Sequence, residues 1–378
     1  MRQVARILST YTADVSGVCS ALYELGGMVV MHDPSGCNST YNTHDELRWY
    51  DQDSLIFISG LSELDAILGS EDKLIADVVS AAEQLSPKFI AIAGTPIPMM
   101  SGVDFDAVAR VVEAQTGLPT FGFATNGMHS YVQGAGMALA AVARRLTRTD
   151  VPKVPRGVNV LGATPLDFAL TGTEQSVQTW LTGHGFSVLS CWAMGSTLDQ
   201  LAQAGGAAVN LVISSTGFAP AQALYEKFGT PYVVGLPIGP FGDVVLQALE
   251  TALQTGTPQF PGRDRSRSTS PAVTLIGEGV TTASLASALW LERGISAQVL
   301  CPLETPQPVL DLVDLWEPSE EGIEKVLQNA KAVAADPLFR PIVPAGCPFY
   351  PLPHVAFSGR IYAKQVPDWT KLLDQSPT

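Results

Sequence analysis

The residues with the clearest chemical potential are two cysteines, Cys19 and Cys37, 18 positions apart. An apolar run, 27–31, lies between them and is followed by the turn His32-Asp33-Pro34-Ser35-Gly36-Cys37. Cys19 is expected at the start of a short helix. Cys37 follows a strand and a Pro34/Gly36 turn, which places it at the carboxyl end of a parallel strand, where open α/β sheets hold their ligands. A thiolate beside a helix N-terminus has a lowered pKa and binds soft metals. A cubane cluster needs about four thiolates, so two per chain make half a set and suit a two-fold interface. Two unrelated buried cysteines would look the same on composition alone.

Other candidates are scattered. Cys347 and His354 stand in a Pro/Gly-rich stretch, 344–360, that could aim either side chain into a cleft. Histidine is the usual proton donor near neutral pH. His44, Asp45 and Glu46 could donate protons near Cys37, although Thr43 and Glu46 also read as a capping box at a helix N-terminus. His129 falls in a strand-to-helix turn suited to ligand contact, and His184 in a helix-stop turn. Cys191 reads as a core residue. Gly277-Glu278-Gly279 follows a strand and opens a helix, but Thr282 replaces the third glycine of a dinucleotide fingerprint, so a tight turn is the better reading. The chain has no G-x-x-x-x-G-K-[ST], no nucleophile elbow and no zinc-type Cys/His spacing.

The elements that must position these residues follow one pattern: a short apolar run, a Gly/Pro/Ser turn, then an amphipathic helix. The runs fall at 27–31, 55–59, 89–93, 120–123, 158–162, 187–190, 208–214, 232–236, 272–276, 297–300 and 332–334. Continuous apolar runs of this length suit strands buried on both faces, hence parallel sheets flanked by helices. The fold class is α/β, with three Rossmann-like domains. Linkers at 149–157 and 255–271 divide them into 1–150, 155–255 and 271–378. At 378 residues the chain exceeds the roughly 250–300 at which single cores stop growing.

Composition removes several functions. Hydrophobic residues make up 46% and charged residues 15%, a balance that requires a large interior or buried subunit interfaces. With 22 basic and 36 acidic residues, the net charge of −14 leaves no basic footprint for nucleic acid or an anionic membrane. No apolar stretch suits a membrane span or a signal peptide. Five cysteines at scattered spacing argue against a disulfide framework and for a reducing, cytoplasmic setting.

The turn His32-Asp33-Pro34-Ser35-Gly36-Cys37 resembles the H-G-P-x-G-C turn of the nitrogenase component 1 family. That family includes nitrogenase, the dark protochlorophyllide and chlorophyllide reductases, and the nickel-tetrapyrrole reductive cyclase of methanogens. Residues 61–74 look like its segment ending F-G-G-x-x-K-L. Residues 87–106, with Ala93-Gly94-Thr95-Pro96 and Ser101-Gly102-Val103-Asp104-Phe105, look like its T-C-x-x-x-I-G-D-D-I segment. Residues 209–214 look like the strand entering its central domain.

The resemblance implies an interfacial iron–sulfur cluster held by three cysteines of the first domain. Cys19 and Cys37 match the first two, with Pro34 and Gly36 shaping the turn, and Pro96 stands where the third is expected. A [4Fe–4S] cluster shared between subunits is therefore implied, in a homodimer or a heterodimer with a paralogous component 1 chain. Asp33 as an oxygen ligand is another way to complete the set. Ser214-Ser215 replace the cofactor cysteine of nitrogenase, so dinitrogen reduction is not expected. An iron-protein ATPase would deliver electrons. A further metallocofactor or a tetrapyrrole would bind in the cleft among the domains, near His354, Cys347, His44 or His129. A non-catalytic carrier or assembly scaffold of the same fold is the alternative. An ordinary sugar- or nucleotide-binding α/β protein is the remaining one.

Overall fold

A computed structural model describes residues 6–7, 12–34, 41, 46–69, 71–263 and 270–374. Cys37, Gly36 and His44 lie outside the described residues. Thirteen strands are present among the described residues: β1 (Met28–Met31), β2 (Leu55–Ile58), β3 (Ile90–Ala93), β4 (Thr120–Phe123), β5 (Gly157–Leu161), β6 (Ser187–Cys191), β7 (Val209–Val212), β8 (Tyr232–Val234), β9 (Val273–Ile276), β10 (Ala297–Cys301), β11 (Leu315–Trp316), β12 (Val333–Ala335) and β13 (Phe349–Pro351).

They form three sheets, ordered β2-β1-β3-β4, β6-β5-β7-β8 and β11-β10-β9-β12-β13. Every strand pairing within them is parallel. Helices cover the faces, which is the α/β arrangement the apolar runs imply. The burial pattern shows why. In β1, Val29 and Met31 join one core cluster while Met28 and Val30 join another; in β3, Ala91 and Ala93 face Ile90 and Ile92 across the sheet in the same way. Both faces are dry, so side-chain alternation carries no polar face. The larger cluster continues through the second and third sheets.

Two glycines set the closest helix contact. The helix Asp14–Leu22 crosses the helix Tyr131–Arg145, and a Cβ at Gly17 would stand 2.2 Å from the Tyr131 carbonyl oxygen. A Cβ at Gly134 would stand 1.8 Å from that of Asp14. Backbone meets backbone here, and only glycine permits it. Asp14 starts the first helix, so Cys19 lies in its carboxyl half. The expectation that Cys19 begins the helix is thus corrected.

Two strands carry no apolar run. β11 has two residues, both exposed, and β13 ends on Pro351 with an outward pattern. Both lie at sheet edges, where proline and polar exposure are tolerated. Residues 47–51 form a turn. Glu46 is a fully buried acceptor, and Thr43, its partner in the expected capping box, lies outside the described residues.

Candidate functional site

The first candidate site stands at the carboxyl end of β1. The turn after that strand is gripped from both neighbours. The Ser59 hydroxyl, beyond β2, lies 2.8 Å from His32 Nδ1 and accepts the Asp33 N–H at 3.2 Å. The Thr95 hydroxyl, beyond β3, contacts Asp33 Oδ1 at 2.7 Å and the His32 carbonyl at 2.9 Å. His32 is buried, packs edge-on against Phe105 at 6.4 Å, and burial pulls its imidazole below the ordinary value. Pro34 is exposed. Pro96 opens the short helix Pro96–Met100. Thr95 already occupies one oxygen of Asp33, which weakens Asp33 as a ligand.

Cys19 is fully buried in a single chain. Burial, then the Glu46 carboxylate, push the Tyr41 phenol well above its ordinary value. Beside it Arg48 satisfies its guanidinium completely. It donates to both Glu46 carboxylate oxygens (2.7 and 2.9 Å), to Glu24 (2.8 Å), to the Ser20 carbonyl (2.8 Å) and to the Ala193 carbonyl (3.0 Å). Tyr41 donates to Glu46 at 3.1 Å, and Arg360 donates to the Glu46 carbonyl. Ala193 follows β6 and Arg360 follows β13, so this buried knot ties the Cys19 helix to the other two sheets. Among the described residues no group of three His, Cys, Asp or Glu could hold a metal.

The second candidate site is where the three sheets meet. Tyr131 opens the helix that follows β4; Asp167 follows β5, Ser215 follows β7, Glu278 follows β9, Asp336 follows β12 and His354 follows β13. All stand at carboxyl ends of parallel strands and all are buried. Tyr131 donates to Asp167 Oδ1, and Thr164 donates to Asp167 Oδ2 at 2.6 Å. His354 Nε2 lies 3.4 Å from Asp167 Oδ1, and its ring makes no hydrogen bond among the described residues. Asp336 holds the His354 N–H (2.7 Å) and the Ser358 hydroxyl (2.8 Å). Glu278 accepts from the N–H groups of Ser215, Val280 and Thr281, each at 2.9 Å. Burial, then the nearby Asp167 charge, raises the Glu278 carboxyl. Burial first, then Asp167 and Glu278, keep Tyr131 protonated. Carboxylate, phenol and imidazole side chains thus stand together in a dry setting.

His129 and His354 are not brought together, and His44 lies outside the described residues. His129 is exposed, 3.4 Å from Glu304, whereas His354 is buried. Cys347 stands before β13 and His354 beyond its end; the Cys347 thiol contacts the Ala330 carbonyl at 3.4 Å, away from the junction. Cys191 is a buried core residue and His184 caps the helix Thr173–Gly183. Sequence reasoning misses Asp167 and sees Glu278 only as part of a tight turn. A signal is present in Thr164-Pro165-Leu166-Asp167, a cap with proline at the first helical position, and in a glutamate flanked by two glycines after a strand.

Comparisons with known proteins bear on the family and the fold. A model of the nitrogenase component 1 type oxidoreductases matches residues 16–274. The nitrogenase iron-molybdenum cofactor biosynthesis protein NifE of Clostridium pasteurianum is 28% identical over 242 residues, 59% of this chain and 51% of that one. A subunit of the light-independent protochlorophyllide reductase of Prosthecochloris aestuarii is 24% identical over 237 residues, 61% of this chain and 44% of that one. The chain spans about half the length of the curated relatives it matches. The solved structure of nitrogenase Cp1 at pH 6.5 superposes with a TM-score of 0.59 at 17% identity, covering 81% of this chain and 64% of that one, which shows the shared fold.

Proposed function

The chain belongs to the nitrogenase component 1 type oxidoreductases, and on that footing we propose that it works as a reductase component with an intersubunit [4Fe–4S] cluster. Cys19 and Cys37 from each of two subunits supply the thiolates. An ATP-dependent iron-protein partner delivers electrons, and a small molecule or tetrapyrrole bound between the sheets is reduced. The cluster, when bound, supplies one-electron storage; the chain positions its ligands and manages protons.

The observation that carries this reading is the turn after β1. It is pinned from β2 by Ser59 and from β3 by Thr95, and the helix that carries Cys19 packs on the same strand. A partner is supported by the surface beside it. The helix Glu63–Leu68 buries none of its residues, and Ile67 (73% exposed) and Met100 (82% exposed) lie on two short helices joined by the Ser101 hydroxyl and the Ala66 carbonyl. Contiguous exposed apolar surface of this kind marks protein contact.

The test is iron and acid-labile sulfide analysis with EPR after anaerobic purification and reconstitution, for wild type and Cys37→Ser. About four irons per dimer in wild type, and loss in the variant, is expected. A wild type that takes up no cluster refutes the proposal.

A second reading is favoured by one specific feature. The junction of the three sheets is filled by Tyr131, Asp167, Glu278 and His354, and several relatives are cofactor biosynthesis proteins by name. A carrier or assembly scaffold fits that combination. Steady substrate reduction with an iron protein and ATP would exclude it.

A further inference from the structure

A cavity lies between the turn before the helix Tyr131–Arg145 and the segments that follow β10 and β11. It measures about 170 Å³. A cavity of about 150 Å³ accommodates benzene, so this one admits a single ring, not a macrocycle. Its walls are mostly apolar. Trp316 and Met128 stand 54% and 76% exposed at its rim, with Leu303 below.

One charged group is fixed in that wall. Glu304 accepts the Ser130 N–H at 3.1 Å through Oε1 and the Ser130 hydroxyl through Oε2. His129 Nδ1 stands 3.4 Å from Oε1. The carboxylate is thus held in one orientation across the boundary between the first and third sheets. It stays about one-third exposed, and a carboxylate has roughly four lone-pair positions. Acceptor capacity therefore remains open towards the cavity. Among the described residues no lysine or arginine lines the space, and the chain as a whole carries −14. An anion would face the Glu304 carboxylate, with His129 the basic side chain in the lining. A cation would meet an oriented carboxylate and an indole in the same lining, two groups that bind organic cations well.

We propose that this cavity is the substrate-recognition site of the protein and that it selects a small, single-ring organic cation. The assignment as substrate rests on the reductase function; the chemistry of recognition rests on Glu304, Trp316 and the cavity volume alone. The ordering cost is small, because Ser130 has already fixed the carboxylate before any ligand arrives.

The test is calorimetric titration of the full chain with benzylammonium, benzyl alcohol and benzoate, which share a ring and differ in charge. Benzylammonium should bind at least about tenfold more tightly than benzyl alcohol, as a hydrogen bond to a charged group is worth, and benzoate should not bind. Glu304→Gln keeps an oxygen for Ser130 and should remove the preference for the cation while leaving benzyl alcohol nearly unchanged. Trp316→Ala lies on an exposed edge strand, threatens no core packing, and should weaken both. Equal binding of all three probes, or a cation preference that survives Glu304→Gln, would overturn the proposal. Binding of the probes needs neither cluster nor reductant, so its failure is distinct from a failure of the iron analysis.

Discussion

Gly134→Ala is the sharpest test of how the fold sets the Cys19 site. The new methyl would lie 1.8 Å from the Asp14 carbonyl oxygen and 2.5 Å from its carbon. An ordinary carbon–oxygen contact is about 3.3 Å or more, so the helix Asp14–Leu22 must retreat by about 1.5 Å. No flexible side chain can absorb this, because the obstacle is backbone. Overpacking of this kind costs roughly 1–3 kcal/mol, against about 0.5–1 kcal/mol gained by replacing glycine in a helix. Net destabilisation of about 1–2 kcal/mol is expected. Gly136→Ala is the control. Its methyl would meet Ala219 Cβ at 3.4 Å, an ordinary contact, in the same helix. It should be neutral or stabilising. Urea denaturation followed by circular dichroism measures both midpoints. If Gly134→Ala is as stable as Gly136→Ala, the backbone-contact argument is wrong.

Other perturbations probe the buried polar groups. Arg48→Met strands the fully buried Glu46 carboxylate and should cost about 3–5 kcal/mol, read from the denaturation midpoint. Burial holds His32 below the ordinary 6.5, so the unfolded chain binds more protons in the window between the folded value and about 6.5. Stability therefore rises with pH across that window and is lost on acidification below it; His32→Gln should flatten that part of a stability-against-pH curve. Burial pushes the Cys301 thiol up to about 12 and raises Cys191 further. Iodoacetamide at mild alkaline pH should label the half-buried Cys347 and spare Cys191 and Cys301 in the native state, which mass spectrometry of the digested protein would show.

The strands buried on both faces were legible because such strands read as unbroken apolar runs, as 27–31 and 89–93 do. β11 and β13 were not, because an exposed two-residue edge and a strand ending in proline carry no periodicity. The start of the first helix was misplaced for a related reason. Ser16, Gly17 and Ser20 are poor helix formers, and what makes them helical is the close approach of a helix distant in sequence, Gly17 to Tyr131 and Gly134 to Asp14. Asp167 and Glu278 converge from separate sheets, and local spacing cannot announce that meeting. Glu46 looked like a cap because Thr43 stands three residues before it; its partners, Arg48 and Tyr41, become visible only when the chain folds.

The Cys19 helix and the ligand-facing turn at His129 behave as one mechanical unit, and Asp14 shows why. Its carboxylate accepts the N–H groups of Asn126 (3.0 Å), Gly127 (2.9 Å) and Val15 (2.8 Å). Its own N–H donates to the His129 carbonyl at 3.0 Å, and the Tyr131 N–H donates to the Thr12 carbonyl at 2.7 Å. Asp14→Ala would leave two N–H groups of the 126–127 turn without their acceptor, at about 1–3 kcal/mol each where water cannot replace it. Because the stitching runs both ways, faster amide exchange should appear in the Cys19 helix and also at 126–133, including the Ser130 N–H that grips Glu304. Exchange that rises only within the first helix would show that the two elements move independently. It would also mean that occupancy of the Glu304 cavity cannot be communicated to Cys19 by this route.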